Sequence, residues 1–371
     1  MAPPEIETIL INARFLTQAT TGVQRYAIEV VKAWDAMLES GELDPRKIRL
    51  MLLAPRGELL DLQLKHIPLH QVGRFSGQLW EQIELPFYAA GRFLVNLCNS
   101  APLLKRNQTV TIHDASVFAF PQAYGFRFRA WYKFLHRMLA TTVKRVLTDS
   151  CFSQRELIKY AGIAEQKIRM VHLGSGHIHA IPADTGIISR NGLDKVQFVL
   201  AVSSMSPHKN FQAIVNAIAL MKNNIQVVIA GGMNPRVFSQ SGALLPDNVM
   251  QLGYVSDAEL RALYEHAACF VYPSFYEGFG LPPLEAMACG CPVIAANAAS
   301  LPEVCGDAAL YCDPHDAADI AEKIGQLMSE QTLRDGLRTK GLARVREFSW
   351  AACARATWAA IDDVRLEAKT H

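Results

Sequence analysis

The stretch from Cys269 to Asn297 constrains the fold of this chain more than any other. It begins with a short apolar run, Cys269 to Ser274, which suits a buried strand better than a helix. A loop with glycines follows, and then a short helix predicted to start at Pro282 and to end at Gly290 in a left-handed turn. Another apolar run follows Pro292. A strand, loop, helix and strand in this order form the unit from which parallel sheets are built.

Two glutamates stand in this unit, Glu277 in the loop and Glu285 in the first or second turn of the helix. The free N–H groups at a helix N-terminus favour an anion such as phosphate. Carboxylates beside a phosphate suit a ligand that carries hydroxyls as well, such as a sugar nucleotide. Glu285 alone is explained better by the helix dipole. The helix dipole does not explain Glu277, which lies in the glycine loop, where an acid adds nothing to packing.

The run Glu277-Gly-Phe-Gly-Leu-Pro-Pro-Leu-Glu285-Ala-Met-Ala, with Gly290 and Pro292-Val-Ile after it, resembles the signature of the retaining family 4 glycosyltransferases of GT-B fold. The resemblance implies an α/β architecture of two Rossmann-like, doubly wound domains that face each other across a cleft. It implies that Glu277 holds hydroxyls of the donor sugar and that Glu285 holds those of the ribose. Backbone amides of the loop would stabilise the leaving diphosphate, namely those of Gly278, Phe279, Gly280 and Leu281.

Length and charge agree with a large enzyme. The chain has 371 residues, half of them apolar, which is enough for two domains, and its net charge of +2 argues against nucleic-acid binding. The N-terminus lacks a basic, apolar signal sequence and no run of eighteen apolar residues occurs, so a cytoplasmic location is expected, with peripheral contact to the inner face of the cell membrane left open.

No metal or other cofactor is predicted, apart from the nucleotide sugar as co-substrate. The chain has no Asp-x-Asp motif, so activity without Mg²⁺ or Mn²⁺ is expected. Cys289 and Cys291 lack zinc spacing and are interpreted as small buried thiols.

The N-terminal segment repeats the strand, loop and helix pattern. Thr8 to Arg14 is a strand candidate, and apolar residues recur at helical spacing after Gly22. Gly22 lets a ligand approach the backbone, and the resemblance places this glycine against the donor diphosphate. Arg25 is a candidate phosphate or acceptor contact, although a solvated helix charge explains it equally well.

Further buried strands are predicted at Ile48 to Pro55, Phe93 to Ser100 and Thr109 to Ser116. The last contains His113, and the carboxyl end of a parallel strand is where open α/β sheets bind ligands. The resemblance implies that His113 contacts the donor sugar, with Asp114 as its orienting partner or as an acceptor contact.

Residues 115–148 contain no acid, while arginines and lysines alternate with aromatic residues. Two interpretations stay open. The aromatic residues pack on the domain core, or the stretch 123–148 lies on an anionic membrane surface, which would suit a lipid-linked acceptor.

The domain boundary is predicted in the polar segment after Ile168 to Gly174, with an acceptor-binding domain at 1–178 and a nucleotide-sugar-binding domain at 179–349. His172, His177 and His179 are interpreted as linker residues. The C-terminal helix, 350–371, is expected to return to the first domain.

The second domain begins with a strand at Gln197 to Ser204, and Lys209 follows near a helix N-terminus, where a cation suits a diphosphate. Family members often have an arginine where this chain has Ser203 and Ser204, so Lys209 carries more of the phosphate charge, helped by His208 or Arg25. Ser204 is also predicted to contact the donor.

Further strands are predicted at Ile225 to Gly232 and Val249 to Val255, followed by a helix that Ser256 caps. The resemblance places the nucleotide base near Tyr254 and Val255, although Tyr254 would equally serve as a core aromatic.

The predicted reaction transfers a hexose, with retention at the anomeric carbon, to a glycan or lipid-linked saccharide in surface polysaccharide synthesis. The preferred candidate donor is GDP-mannose, which would supply mannose. Glu277, His113 and Lys209 are the predicted catalytic residues. A UDP-hexose or dTDP-rhamnose is the alternative donor. A nucleotide-sugar-binding module without turnover and a phosphorylase also stay open, whereas a dehydrogenase is disfavoured because no G-x-G-x-x-G motif follows a strand.

Overall fold

The computed structural model describes residues 6–202, 206–221, 225–232 and 248–367. Its residues form two compact units. Unit 1 comprises Met1–Ala119, Tyr124–Leu173 and Trp350–His371, and unit 2 comprises Phe120–Ala123 and Gly174–Ser349. The main segment of unit 2 therefore starts at Gly174, a few residues before the predicted boundary, and the predicted C-terminal helix belongs to unit 1.

Unit 1 contains a sheet of seven strands, all parallel, in the order β3-β2-β1-β4-β5-β6-β7. Three of these strands, Phe93–Asn96, Gln108–Thr111 and Arg145–Thr148, are buried along their whole length, as expected when helices cover both faces of a parallel sheet. The strands are β1 (Glu7–Asn12), β2 (Ile48–Ala54), β3 (Leu69–Gln71), β4 (Phe93–Asn96), β5 (Gln108–Thr111), β6 (Arg145–Thr148) and β7 (Ile168–Met170).

The helices of unit 1 include one irregular stretch, a π-helical turn at Trp80–Glu84 between the α-helical segments Gly77–Leu79 and Leu85–Tyr88. We refer to this stretch as helix 77–88. The remaining α-helices are Gly22–Glu39, Ser116–Ala119, Phe126–Thr142, Cys151–Ala161 and Trp350–Glu367.

The C-terminal helix packs on helix Gly22–Glu39. The indole N–H of Trp34 donates to the carbonyl of Ala354 at 3.0 Å, and the Trp34 and Trp358 rings meet edge to face at 5.8 Å. The C-terminal helix is thus an integral part of unit 1.

Unit 2 contains six parallel strands in the order β10-β9-β8-β11-β12-β13. The strands are β8 (Phe198–Val202), β9 (Gln226–Ala230), β10 (Val249–Gly253), β11 (Cys269–Tyr272), β12 (Val293–Ala296) and β13 (Ala309–Cys312). Its described α-helices are Gly186–Arg190, Phe211–Leu220, Asp257–His266, Leu281–Ala288, Leu301–Cys305, Ala317–Ser329 and Gln331–Arg344.

Short 3₁₀ helices connect many of these elements, at Arg14–Thr17, Pro121–Ala123, Glu165–Lys167, Gly176–His179, Leu193–Lys195, Pro207–Lys209, Gly306–Ala308 and Val345–Glu347. Two local predictions are confirmed. The Ser256 hydroxyl caps the helix that follows it by accepting from the amide of Glu259, and Gly290 ends helix Leu281–Ala288 with φ at +72°.

Both units are doubly wound sheets, so each is a Rossmann-like domain. The strand order reverses between β1 and β4 in unit 1 and between β8 and β11 in unit 2. Such reversal points, at the carboxyl ends of the strands, are where open α/β sheets bind ligands. Among the described residues, no helix combines the length and the apolar character that crossing a bilayer requires.

Candidate active site

The reversal point of unit 2 brings Lys209 to Glu277. The ammonium Nζ of Lys209 donates to Glu277 Oε1 and Oε2 and to the hydroxyl of Tyr272, each at 2.8 Å. An ammonium has three N–H donors, so these three contacts use all of them. Both charged side chains are largely buried, with 19% of the Lys209 side chain and 9% of the Glu277 side chain exposed. The two residues that the sequence predicted separately therefore form one ion pair.

Tyr272 is the last residue of β11 and was not among the predicted site residues. Burial raises the pKa of its phenol well above the usual value, and the Glu277 carboxylate adds to the shift. The hydroxyl stays protonated at any physiological pH. It therefore remains available both to accept from Lys209 and to donate to Glu277.

The loop that carries Lys209 is fixed by Asn210, which has a left-handed backbone with φ at +55°. Its side-chain amide donates to the carbonyls of Pro273 at 3.0 Å and Pro314 at 2.6 Å. The amide of Phe275 donates to the carbonyl of His208 at 2.8 Å. These bonds tie the loop after β8 to the loop after β11, so Lys209 is positioned before any ligand arrives.

The glycine loop 278–280 turns the chain into helix Leu281–Ala288. Gly280 has φ at +108°, and a Cβ there would lie 2.7 Å from Leu301 Cδ2, so this position requires glycine. The hydroxyl of Ser300 donates to the carbonyl of Glu277 at 3.0 Å or to that of Phe279 at 2.7 Å. The side chain of Phe279 is buried and meets Phe348 edge to face. The Phe279 side chain is therefore used in packing within unit 2.

The first turn of this helix offers fewer N–H groups than an ordinary helix N-terminus. Pro282 and Pro283 follow Leu281 directly, and proline has no amide hydrogen. The amides of Leu281 and Leu284 remain. The anion site predicted here therefore has fewer backbone N–H donors than an ordinary helix N-terminus, which makes Lys209 the more important candidate ligand for a phosphate.

Glu285 lies in the second turn, and its carboxylate already has a partner. Its Oε1 is 2.8 Å from Nε2 of His177, and Oε2 is 3.5 Å from the hydroxyl of Tyr264. His177 is buried, and the neighbouring His179 contacts the carbonyl of Ala288 at 3.0 Å. The interpretation of His177 and His179 as linker residues is wrong, because their segment packs on helix Leu281–Ala288.

The remaining predicted contacts of unit 2 are less enclosed. Tyr254 follows the carboxyl end of β10 and is 83% exposed, so it is not a core aromatic, and Val255 is half-buried beside it. His208 contacts the hydroxyl of Ser206 through Nδ1 at 2.8 Å. Ser204 lies outside the described residues.

In unit 1, Gly22 is the first residue of helix Gly22–Glu39 and is exposed. A Cβ built on it meets nothing within 4 Å, and its φ lies outside the left-handed region. Neither packing nor backbone geometry requires a glycine there. Arg25 lies one turn further on, 3.8 Å from Glu29, with 16% of its side chain exposed.

His113 is paired with Asp149 and not with Asp114. Its Nδ1 is 2.6 Å from Asp149 Oδ2, its Nε2 is 3.1 Å from the carbonyl of Leu97, and the ring meets Tyr26 edge to face at 4.9 Å. Asp114 instead accepts from the amide of Ser116 at 2.7 Å. The orienting role assigned to Asp114 is therefore corrected, because the turn into the next helix uses its carboxylate.

The reversal point of unit 1 carries a polar network that the sequence analysis missed. The carboxylate of Glu81, on the π-helical turn, accepts from the Asn12 amide at 2.7 Å and from the Ser100 hydroxyl at 3.0 Å. Arg14 lies 3.3 Å from the same carboxylate and donates to Ser100 at 2.9 Å. All four side chains are buried. The network links the carboxyl ends of β1 and β4 to helix 77–88.

Within the described ranges, no three side chains of His, Cys, Asp or Glu converge as metal ligands would. Burial raises the pKa of Cys289 to about 12 and that of Cys291 well above its usual value, so both remain thiols at neutral pH. Metal independence itself remains a prediction.

Comparison with known proteins places these residues in a family. Residues 187–344 match the model of the glycosyl transferases group 1. The O-antigen chain mannosyltransferase B of Escherichia coli is 36% identical over 259 residues, which cover 67% of this chain and 68% of that protein. The O-antigen chain mannosyltransferase RfbU of Salmonella typhimurium is 27% identical over 326 residues, covering 83% and 87%.

Solved structures agree on the fold. HepE from Anabaena, solved in complex with UDP and glucose, superposes with a TM-score of 0.71 at 16% identity, over 96% of this chain and 100% of that chain. With two Rossmann-like domains and this degree of identity to a group 1 relative, the chain belongs to the group 1 glycosyltransferases and has their GT-B fold.

Proposed function

We propose that this glycosyltransferase transfers mannose from GDP-mannose, with retention at the anomeric carbon, to a hydroxyl of a glycan or lipid-linked saccharide in surface polysaccharide synthesis. The two relatives described above are O-antigen chain mannosyltransferases, which supports both the sugar and the class of acceptor. HepE, which shares the fold, is complexed with UDP and glucose, which supports a nucleotide sugar as the ligand.

The observation that carries the proposal is the ion pair of Lys209 and Glu277 at the reversal point of unit 2. A donor contains a diphosphate, which needs a cation, and sugar hydroxyls, which need acceptors. When a phosphate oxygen binds Lys209, it replaces one carboxylate oxygen, because the ammonium has no spare N–H. That oxygen of Glu277 then accepts from a sugar hydroxyl. Phosphate binding and sugar binding are coupled through one proton donor.

Departure of the nucleoside diphosphate is the costly step, because negative charge grows on the leaving oxygen. Lys209 and the amides of Leu281 and Gly22 would stabilise that charge, and one such preorganised donor is worth about 3 kcal/mol of barrier. The acceptor hydroxyl attacks from the face that the diphosphate leaves, so no enzyme nucleophile is needed. Glu285 binds the ribose hydroxyls, and Tyr254 and Val255 lie beside the base.

The remaining predicted residues keep supporting roles. Arg25 and His208 assist the diphosphate, and Asp114 contacts the acceptor. A direct contact of His113 with the sugar requires its hydrogen bond to Leu97 to open, since both ring nitrogens have partners in the described structure.

The test is the release of nucleoside diphosphate from a panel of GDP-, UDP- and dTDP-sugars with and without a saccharide acceptor. GDP-mannose should be turned over fastest, and Glu277→Ala should lose this activity. If a UDP-hexose or dTDP-rhamnose were turned over faster, GDP-mannose would be wrong as the donor and the faster sugar nucleotide would take its place. The anomeric configuration of the product, read by NMR, tests retention. Activity that a chelator abolishes and Mn²⁺ restores would contradict metal independence.

A further inference from the structure

Helix 77–88 exposes a stripe of large apolar side chains. Leu79, Ile83 and Phe87 recur at every fourth residue and are 60%, 57% and 82% exposed. This spacing places them on one side of the helix. The opposite side carries Trp80, Glu81 and Leu85, which are buried in unit 1. The buried side of helix 77–88 packs in unit 1, so packing of the fold does not explain the exposed stripe.

Helix Phe126–Thr142 exposes a second stripe with the same spacing. Phe126, Phe134 and Met138 are all exposed, with Ala130 between them, whereas Trp131 and Tyr132 pack against the core. Core packing is thus confirmed for Trp131 and Tyr132, whereas contact with a membrane stays a prediction. Some of its aromatic residues belong to the core, and others face outward.

Two hydrogen bonds connect the segments that carry these exposed side chains. The indole N–H of Trp131 donates to Gln78 at 3.3 Å, which joins the two helices. The amide of Leu103 donates to Gln82 at 3.1 Å, which brings Leu104, 86% exposed, next to helix 77–88. We call the resulting surface the apolar face, and its members are Leu79, Ile83, Phe87, Leu104, Phe126, Phe134 and Met138.

Charge around the apolar face is strongly one-sided. Residues 85–148 contain nine lysines and arginines and one acid, Asp114, although the whole chain has a net charge of only +2. The two acids of helix 77–88 do not offset this. Glu81 is buried, and the Glu84 carboxylate accepts from the amides of Arg74 and Phe75 at 2.9 Å. The exposed cations of this region are Arg92, Arg106, Arg127, Arg137 and Lys144.

We propose that unit 1 docks on an anionic lipid surface, with the apolar face inserted among the acyl chains and the surrounding cations against the lipid headgroups. Exposed apolar side chains on segments that also carry exposed lysine and arginine, with no exposed acid on helix 77–88 or among residues 85–148, have the chemistry that binds an anionic bilayer without spanning it. The inference rests on the surface alone and not on the identity of the donor.

The test is co-sedimentation of the full-length protein with phosphatidylglycerol-containing vesicles and with pure phosphatidylcholine vesicles, without donor or acceptor. Wild type should bind the anionic vesicles, and adding salt to roughly half-molar should weaken binding by screening the cations. The double variant I83S/F87S should partition at least about tenfold less. The matched control is L220S/L342S, which removes two exposed leucines of unit 2 and should bind as wild type does.

All four substituted positions are exposed, so thermal unfolding should be unchanged in both variants. Release of nucleoside diphosphate in vesicle-free solution should also be unchanged, which separates this proposal from the proposed function. Equal binding of wild type and I83S/F87S would overturn it, as would wild type that stays in the supernatant. It would also fail if sedimentation equilibrium showed a dimer that I83S/F87S dissociates, because a second copy would then be the occupant.

Discussion

The Lys209 ammonium lies 2.8 Å from both carboxylate oxygens of Glu277, although the residues are 68 positions apart in the chain. The third N–H of the ammonium is used by Tyr272. A buried ion pair stripped of one partner leaves the other charge uncompensated, which costs more than the pair contributes when intact. The two residues therefore act as one functional group, and their substitutions are not independent.

Substitution of either member of this pair should have nearly the effect of substituting both. Lys209→Met and Glu277→Gln should each lower kcat/KM at least about 100-fold, which corresponds to roughly 3 kcal/mol. The double variant should be little worse than either single one, because neighbouring residues in one network are non-additive. A double-mutant cycle on kcat/KM measures this coupling. Effects that multiply would show that the two side chains act separately.

Three glycines should respond differently to alanine. Gly22→Ala should leave the free energy of unfolding nearly unchanged, because its Cβ enters open space, but should raise KM for the donor if the diphosphate approaches there. Gly280→Ala should lower the free energy of unfolding by about 1–2 kcal/mol, because φ is +108°. Gly336→Ala, the control inside helix Gln331–Arg344, should stabilise by up to about 1 kcal/mol without affecting KM. Urea unfolding and donor titrations give both quantities. An unchanged donor KM in Gly22→Ala would remove Gly22 from the site.

Much of the site was predictable from the sequence, but its contacts were not. Glu277 and Lys209 each follow an apolar strand, and that local pattern is visible in the sequence. Their contact depends on β8 and β11 being neighbours, and strand order is set by the packing of the whole sheet. Tyr272 did carry a signal, as a polar aromatic at the carboxyl end of a buried strand. His177 carried none, because its segment lacks periodicity.

Asp149 shows how one missed strand changes a site. β6 has only four residues and begins with the buried Arg145, whose charge conceals the strand within the basic stretch. Recognition of β6 would have predicted Asp149 at its carboxyl end, beside the end of β5 where His113 lies. When β6 is not recognised, Asp114 is the nearest acid in the sequence, and it is then predicted as the partner of His113 in place of Asp149. β3 was also missed, because it has only three residues and all of them are exposed.

His177 should affect donor affinity through Glu285. His177→Ala removes the partner of Glu285 Oε1, so the carboxylate loses its fixed orientation, and KM for the donor should rise about tenfold, the equivalent of one such hydrogen bond. The value of kcat should change much less, since Glu285 is assigned to the ribose and not to the reacting bond. His177→Gln should recover part of the affinity. His179→Ala is the control, since the His179 ring contacts the carbonyl of Ala288 and not the Glu285 carboxylate. An equal rise of KM in His179→Ala would indicate a general packing defect.

Two buried histidines of unit 1 should give opposite pH dependences of stability. Burial lowers the pKa of His113, but the Asp149 carboxylate outweighs burial and holds that pKa above its usual value. Burial lowers the pKa of His136, and the carbonyl of Asn99 only partly opposes this. A histidine whose pKa is raised by folding stabilises the folded state at pH values below its unfolded-state pKa of about 6.5. This stabilisation is lost as the pH rises through its folded-state pKa. A histidine whose pKa is lowered by folding stabilises the folded state at pH values above its unfolded-state pKa. This stabilisation is lost as the pH falls through its folded-state pKa.

The free energy of unfolding that His113→Gln removes should therefore be larger at about pH 6 than at about pH 9, because the stabilisation from the imidazolium paired with Asp149 is lost as the pH rises through the raised pKa of folded His113. The free energy that His136→Gln removes should be larger at the higher pH, because a protonated His136 is disfavoured inside the fold. Urea unfolding of wild type and both variants at the two pH values measures both differences. Each variant is the control for the other, since both remove a buried imidazole from unit 1. A His113→Gln effect that grows with pH would mean that His113 is neutral in the folded protein and that Asp149 serves only as its hydrogen-bond acceptor.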